Sequence, residues 1–144
     1  MTKKLLTAIA FIMGELTATA QKADSTAFRA NLINKEYEVF MRINFYDNDV
    51  VVPGQEIYGE LPGYLQKERN SFTWVILDAE ITSPREATLQ MINDYGSDDL
   101  TAELEQKDDS TYVLRQLGGA TLKVPRNGKW QKLPRTLEFK RKKY

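Results

Sequence analysis

Residues 93–100 read NDYGSDDL. They gather three carboxylates, Asp94, Asp98 and Asp99, and the hydroxyl of Ser97 around Gly96. Carboxylate and hydroxyl oxygens are hard donors, and a calcium ion takes about 6–8 of them at about 2.3–2.6 Å. The spacing departs from the D-x-[DN]-x-[DN]-G loop that wraps calcium. Asn, Asp and Gly are also turn formers, and Gly96 supplies a positive φ at no steric cost. The segment reads first as a hairpin turn, with Asp94, Asp98 and Asp99 as the candidate calcium ligands otherwise. A second set of acids, Asp78, Glu80 and Glu86, raises sugar hydrolysis. That reaction needs two carboxyls about 5 Å or about 6.5–9.5 Å apart across a cleft. Asp78 and Glu80 share one strand face, while Leu77, Ala79 and Ile81 make the other, so a solvated outer face is the simpler reading. The chain has no His and no Cys. Ser-His-Asp and Cys-His catalysis and the usual zinc sites are therefore excluded. No GxxxxGK[ST] or strand-linked GxGxxG is present to cradle phosphate. No catalytic residue, metal or cofactor is assigned.

The aromatic residues offer binding instead. Tyr58, Tyr64, Trp74, Tyr95, Tyr112 and Trp130 recur near turns or on strand faces. Exposed rings stack on sugars or apolar ligands, and small barrels hold ligands at a mouth. Buried rings would simply fill the barrel. Of these, Tyr58, Tyr64, Trp74, Tyr95 and Trp130 are the candidate ligand contacts. Trp74 falls on the polar-facing register of its strand, beside Asp78. Residues 53–66, rich in Pro, Gly and Tyr, are the candidate lid, because long loops in compact domains are usually functional or disordered.

Strands must position all of these. Residues 35–46, KEYEVFMRINFY, put Tyr37, Val39, Met41, Ile43 and Phe45 on one face and polar residues on the other, the period-two mark of a half-buried strand. Residues 50–52 make a short apolar strand stopped by Pro53-Gly54. In residues 72–81 Thr73, Val75, Leu77, Ala79 and Ile81 share a face. Further alternating runs place Ala87, Leu89 and Met91, then Leu100, Ala102 and Leu104, then Tyr112 and Leu114 inward. Gly118-Gly119 and the PRNG at 125–128 mark turns. The pattern is all-β: an antiparallel meander of about eight to nine strands, closed as a barrel, with a β-sandwich as the alternative. Residues 35–144 form this single domain. Residues 21–34 read as a flexible lead or one short helix.

The runs FTWVILDAEI, ATLQMIN with LTAELEQ, STYVLRQLGGATLKV and TLEFKR resemble the short, secreted lipocalin-like (calycin-type) β-barrel proteins of Gram-negative bacteria. They cover about half of the chain and none is a catalytic motif. Most such proteins have no assigned activity, so the resemblance implies a fold and not a function.

Residues 1–20 have the layout of a secretory signal peptide: Lys3 and Lys4, an apolar run over 5–14, and Ala18-Thr19-Ala20 before the cut. The apolar run is too short to span a bilayer. The expected protein is exported, periplasmic or extracellular, and soluble after cleavage. Residues 21–110 carry 8 basic and 18 acidic side chains, and residues 111–144 carry 10 basic and 1 acidic. The basic residues are spread through strand-like runs, so acidic early strands and basic late strands are expected to neutralise each other side by side. No nucleic-acid partner is inferred. The functional expectation is a non-enzymatic barrel that binds a small apolar or sugar-like ligand at a loop-covered mouth. The alternative is an envelope-associated interaction or structural module that docks an acidic partner through the charge asymmetry or through the basic tail at residues 140–144.

Overall fold

The computed structural model describes residues 26–142. The expected signal segment lies outside them, as do residues 21–25 of the lead and the last two residues of the basic tail. In chain order the strands are β1 (Arg29–Asn34), β2 (Val39–Asn44), β3 (Val50–Val51), β4 (Glu60–Leu61), β5 (Gly63–Lys67), β6 (Thr73–Ser83), β7 (Glu86–Asn93), β8 (Asp99–Gln106), β9 (Thr111–Gly119), β10 (Lys123–Arg126), β11 (Lys129–Lys132) and β12 (Thr136–Arg141). One 3-10 turn, Glu56–Tyr58, interrupts them.

Eight strands form a closed antiparallel barrel in the ring order β1-β12-β9-β8-β7-β6-β5-β2. Closure sets the sandwich alternative aside. The meander is broken by two excursions. β3 and β4 pair inside the β2–β5 connection, and β10 and β11 form a hairpin inside the β9–β12 connection. Residues 29–34 are not a flexible or helical lead. They are β1, which pairs with β2 from Arg29↔Asn44 to Asn34↔Val39 and with β12 at Leu32↔Arg141 and Ile33↔Lys140.

Alternation fills the ring. Val39, Met41 and Ile43 of β2, Ala87, Leu89 and Met91 of β7, Leu100, Ala102 and Leu104 of β8, and Leu137 and Phe139 of β12 are all buried in one core. Tyr37 falls in the turn before β2 and is only partly buried. In β6 the expected face is wrong over its first half. Trp74 and Ile76 point into the core and are fully buried. A β-bulge then sets Leu77 and Asp78 together against the β7 register between Met91 and Gln90. The extra residue reverses the parity, so Ala79 and Ile81 pair with the inward Leu89 and Ala87. Parity read backwards from Ala79 and Ile81 therefore put Trp74 on the wrong side. The bulge leaves Leu77 exposed on the outside.

Apolar side chains inside and charged ones outside are the reverse of a membrane-spanning barrel, whose outer band is apolar. Among the described residues, no helix is long and apolar enough to cross a membrane. The outer charges meet across strands. Arg115 of β9 faces Glu103 of β8 in register and lies 3.3 Å from its carboxylate and 3.0 Å from that of Glu105. Lys123 of β10 lies 3.9 Å from Asp98 in the turn before β8, whereas Lys140 pairs within its own strand with Glu138 at 3.6 Å. At Arg115 and Lys123 late bases do meet early acids.

Close packing makes one glycine obligatory. A Cβ on Gly63 would fall 2.2 Å from the carbonyl oxygen of Arg42 on the neighbouring strand β2. Gly63→Ala is expected to lower the unfolding free energy by about 2–3 kcal/mol, read as a fall in denaturant midpoint at unchanged slope. The Arg115 guanidinium, with the Lys107 ammonium, holds the Glu105 carboxyl below its ordinary value of 4.5. A depressed carboxylate stabilises the fold above that value, and the contribution is lost as pH falls through the folded one. Glu105→Gln should therefore flatten the loss of Tm on acidification below about 4.5. An unchanged acid slope would show that the pair carries no linkage.

Candidate functional site

The turns joining β1–β2, β5–β6 and β7–β8, together with the β10–β11 hairpin, lie at one end of the barrel. The hairpin is built locally. Asn127 and Gly128 both take positive φ, 52° and 76°, between the paired Arg126 and Lys129, which is the two-residue turn that Asn-Gly favours. Its base is pinned by Leu122, Val124 and Leu133, all buried in the barrel core. The Trp74 indole N–H donates to the Lys123 carbonyl at 2.8 Å. The hairpin thus closes this end of the barrel.

Three turns bring rings together above it. Phe72, next to β6, packs edge-on to Trp74 at 6.5 Å, edge-on to Trp130 at 4.9 Å and tilted to Tyr95 at 5.8 Å. Tyr95 and Trp130 meet edge-on at 6.5 Å. The Lys123 ammonium stands 5.5 Å from the Trp130 ring centroid and 3.9 Å from the Asp98 carboxylate. Phe72 and Trp74 are buried, whereas Tyr95 is 73 % and Trp130 49 % exposed. Two open rings stand on a buried aromatic base, with an ammonium and a carboxylate at their edge. Such a surface can stack on a flat apolar face and hydrogen-bond its rim.

The remaining expected contacts lie elsewhere. Trp74 supports the rim from inside the core and presents no face to solvent. Tyr64 is buried on the outer wall, where burial pushes its phenol up against the opposing effect of the neighbouring Arg42 guanidinium. Tyr58 is partly exposed in the 3-10 turn. Residues 53–66 do not cover the mouth. Val50 and Val52, with Leu61, pack on the outward Tyr64 and Val75, so the β3–β4 excursion is a strap on the outside of the wall. Its Gln55 side-chain N–H donates to the carboxylate of Asp94. The mouth is filled instead by the hairpin and by Trp74, Phe72 and Leu122. Tyr112 is fully buried in the core. Sequence reasoning missed Phe72, whose neighbours come from turns distant in the chain. The Asn-Gly of the hairpin was visible as a turn but not as a plug.

The calcium candidates do not converge. Asn93 is buried and organises the turn: its side-chain oxygen accepts from the N–H groups of Ser97 at 2.9 Å and Asp98 at 3.2 Å, and its amide donates to the Ser97 hydroxyl at 3.1 Å. Gly96 has φ 71°. Asp94 turns to Gln55, Asp98 to Lys123, and Asp99 begins β8. Among the described residues no group of three acids is placed to hold a metal. Asp78 and Glu80 are exposed on the outer face of β6 after the bulge, with no facing acid wall, and Glu86 is at the foot of β7.

Comparison with family models, with curated proteins and with solved structures yields no match for this chain.

Removing the Asn93 side chain orphans two turn N–H groups. Asn93→Ala should cost about 1–3 kcal/mol by chemical denaturation. Millimolar Ca²⁺ should leave the Tm of the unaltered protein where it was; a rise that the Asp98→Asn variant abolishes would restore the calcium reading.

Proposed function

We propose that the chain is an exported, non-catalytic β-barrel protein that binds a sugar-like ligand on the rim formed by Tyr95 and Trp130. The supporting observation is the pair of exposed rings held edge-on around Phe72. A pyranose has an apolar face that stacks on such rings and hydroxyls that reach polar neighbours, here Lys123 and Asp98. The rings ride on tight turns and a pinned hairpin, so little entropy is lost when the ligand settles. A filled interior points to an external ligand rather than an enclosed one. The absence of His and Cys, and the scattering of the acids over the outer wall, support binding without chemistry. The signal-like N-terminus and the lipocalin-like resemblance support a location in the periplasm or outside the cell. The alternative, an envelope-associated interaction module, requires a continuous basic surface. Arg115 and Lys140 are instead paired with Glu103, Glu105 and Glu138.

Titration calorimetry of the protein against a panel of neutral and acidic glycans tests the reading. One class is expected to bind. Trp130→Ala and Tyr95→Ala should each weaken it about tenfold, as loss of a stacking ring of about 1–2 kcal/mol implies. Tyr95→Ala should leave Tm nearly unchanged, because that ring is largely exposed, and Trp130→Ala should lower it by a few degrees at most, since half of that ring packs on its neighbours. Binding to no glycan, or equal binding by the Trp130→Ala protein, overturns the proposal.

A further inference from the structure

A groove of about 580 Å³ runs along the outer wall over β1, β2 and β5, on a different face from the aromatic rim. Its layout follows from register. Ile33 pairs with Phe40, Asn31 with Arg42, and Arg42 with Tyr64. Since alternate residues face outward, Ile33, Phe40 and Tyr64 make an apolar floor, with Phe40 edge-on to Tyr64 at 6.0 Å. The strap buries Tyr64 and covers the Val75 side of this outer cluster. Towards β1 Ile33 and Phe40 are left half-buried.

One end of the floor is cationic. Arg42 and Lys142 both line it, on either side of Asn31, whose backbone oxygen accepts the Lys142 N–H at 2.8 Å. Further along the wall Asp47 lies 3.0 Å from Arg29, and Asp49, which shares the adjoining hollow with Arg42, accepts from the Asn44 amide at 3.1 Å; Glu138, beyond Lys142, lies 3.6 Å from Lys140. At the other end Glu68 and Arg69 carry opposite charges, and Arg69 also lies 3.5 Å from Glu38. The groove is thus polar in one sense: two cations, then an apolar floor, then a neutral rim. Its volume is that of a small-molecule site, commonly about 300–1,000 Å³.

We propose that this groove is a second binding site, for an anionic amphiphile whose carboxylate or phosphate head meets Arg42 and Lys142 and whose acyl chain lies over Ile33, Phe40 and Tyr64. Guanidinium suits such heads because it offers paired donors to two oxygens. The acyl chain extends the outer apolar cluster at the side the strap leaves open. The occupant is a free amphiphile such as a fatty acid; a membrane lipid shares the head-group chemistry, and a vesicle arm of the test separates the two.

The first probe is monomeric dodecanoate, titrated calorimetrically into the protein, with dodecyl maltoside and dodecyltrimethylammonium as neutral and cationic counterparts. Dodecanoate is expected to bind one per chain, at least about tenfold more tightly than either counterpart, and to weaken with salt. Arg42→Gln should weaken it about tenfold and Lys142→Gln by less, with the Tm of both ligand-free variants preserved because both side chains are exposed. Trp130→Ala should leave it unaffected, which separates this site from the glycan rim. Equal binding of the three amphiphiles, or full binding by the Arg42→Gln protein, overturns the site. Binding to phosphatidylglycerol vesicles without binding to monomeric dodecanoate overturns it in favour of a membrane surface.

Discussion

β1 has two hydrogen-bonded neighbours, and the rest of the molecule depends on that double engagement. It pairs with β2 over its full length and with β12 through Leu32 and Ile33. With both its sides taken, the ring has no free edge to invite another chain. The β1–β12 seam is short and is reinforced by side chains. The buried Asn34 amide donates to the Glu138 carbonyl at 2.7 Å and its oxygen accepts the Tyr37 N–H at 2.8 Å. At the other end Arg141 donates to the Thr26 carbonyl at 3.1 Å and to the Tyr112 hydroxyl. Tyr112 in turn donates to the Ala27 carbonyl and accepts from the Gln106 amide at 3.2 Å. Burial pushes the Tyr112 phenol up, opposed by the Arg141 cation, so it stays neutral and able to donate. The two bonds between Tyr112 and Ala27 and between Gln106 and Tyr112 are buried, so loss of a partner there leaves a polar group away from water.

Closure at eight strands decides where binding can occur. A ring of that size has room for its own side chains or for one small ligand, and here side chains take the space. Trp74, Tyr112, Phe28 and Phe139 are its largest fully buried residues. The two proposed binding surfaces therefore lie outside, in places where the two excursions depart from the ring. One excursion folds over an end and raises Trp130 beside Tyr95. The other lies along the wall and stops short of Ile33 and Phe40. Both proposed surfaces are anchored to the strands of the ring, and the residues that would set their specificity belong to the connections or to the outer face.

Much of the fold was legible because most strands alternate without interruption. The runs at Val39–Ile43, at Ala87–Met91 and at Leu100–Leu104 needed only period two. β1 escaped notice because one of its inward positions is Asn34, whose polarity hides the period; its acceptable burial depends on Glu138. Trp74 was misplaced because a bulge shifts parity and leaves no local trace in FTWVILDAEI. The rim was half legible. Tyr95 and Trp130 stood out as aromatics near turns, but their meeting depends on Phe72 and on a hairpin whose docking is set by Leu122, Val124 and Leu133. The outer groove was not legible, because it arises from the register between β1, β2 and β5 and from the reach of the strap.

The seam also fixes an order of events in folding. Asn34 and Glu138 are 104 residues apart in the chain. The first strand therefore cannot find its second partner until the last one exists. Local hairpins such as β6–β7 and β8–β9 can form early, but the ring stays open, with β1 and β12 unpaired with each other, until β12 has been made. Contacts of such separation make barrel folding slow, because the closure entropy is met before the pairing rewards it. The open intermediate is the form most exposed to edge-to-edge association with its own copies. A chaperone that shields β1 or β12 would act on this interval, and the β1–β12 junction is the place where truncation at either terminus would be felt first.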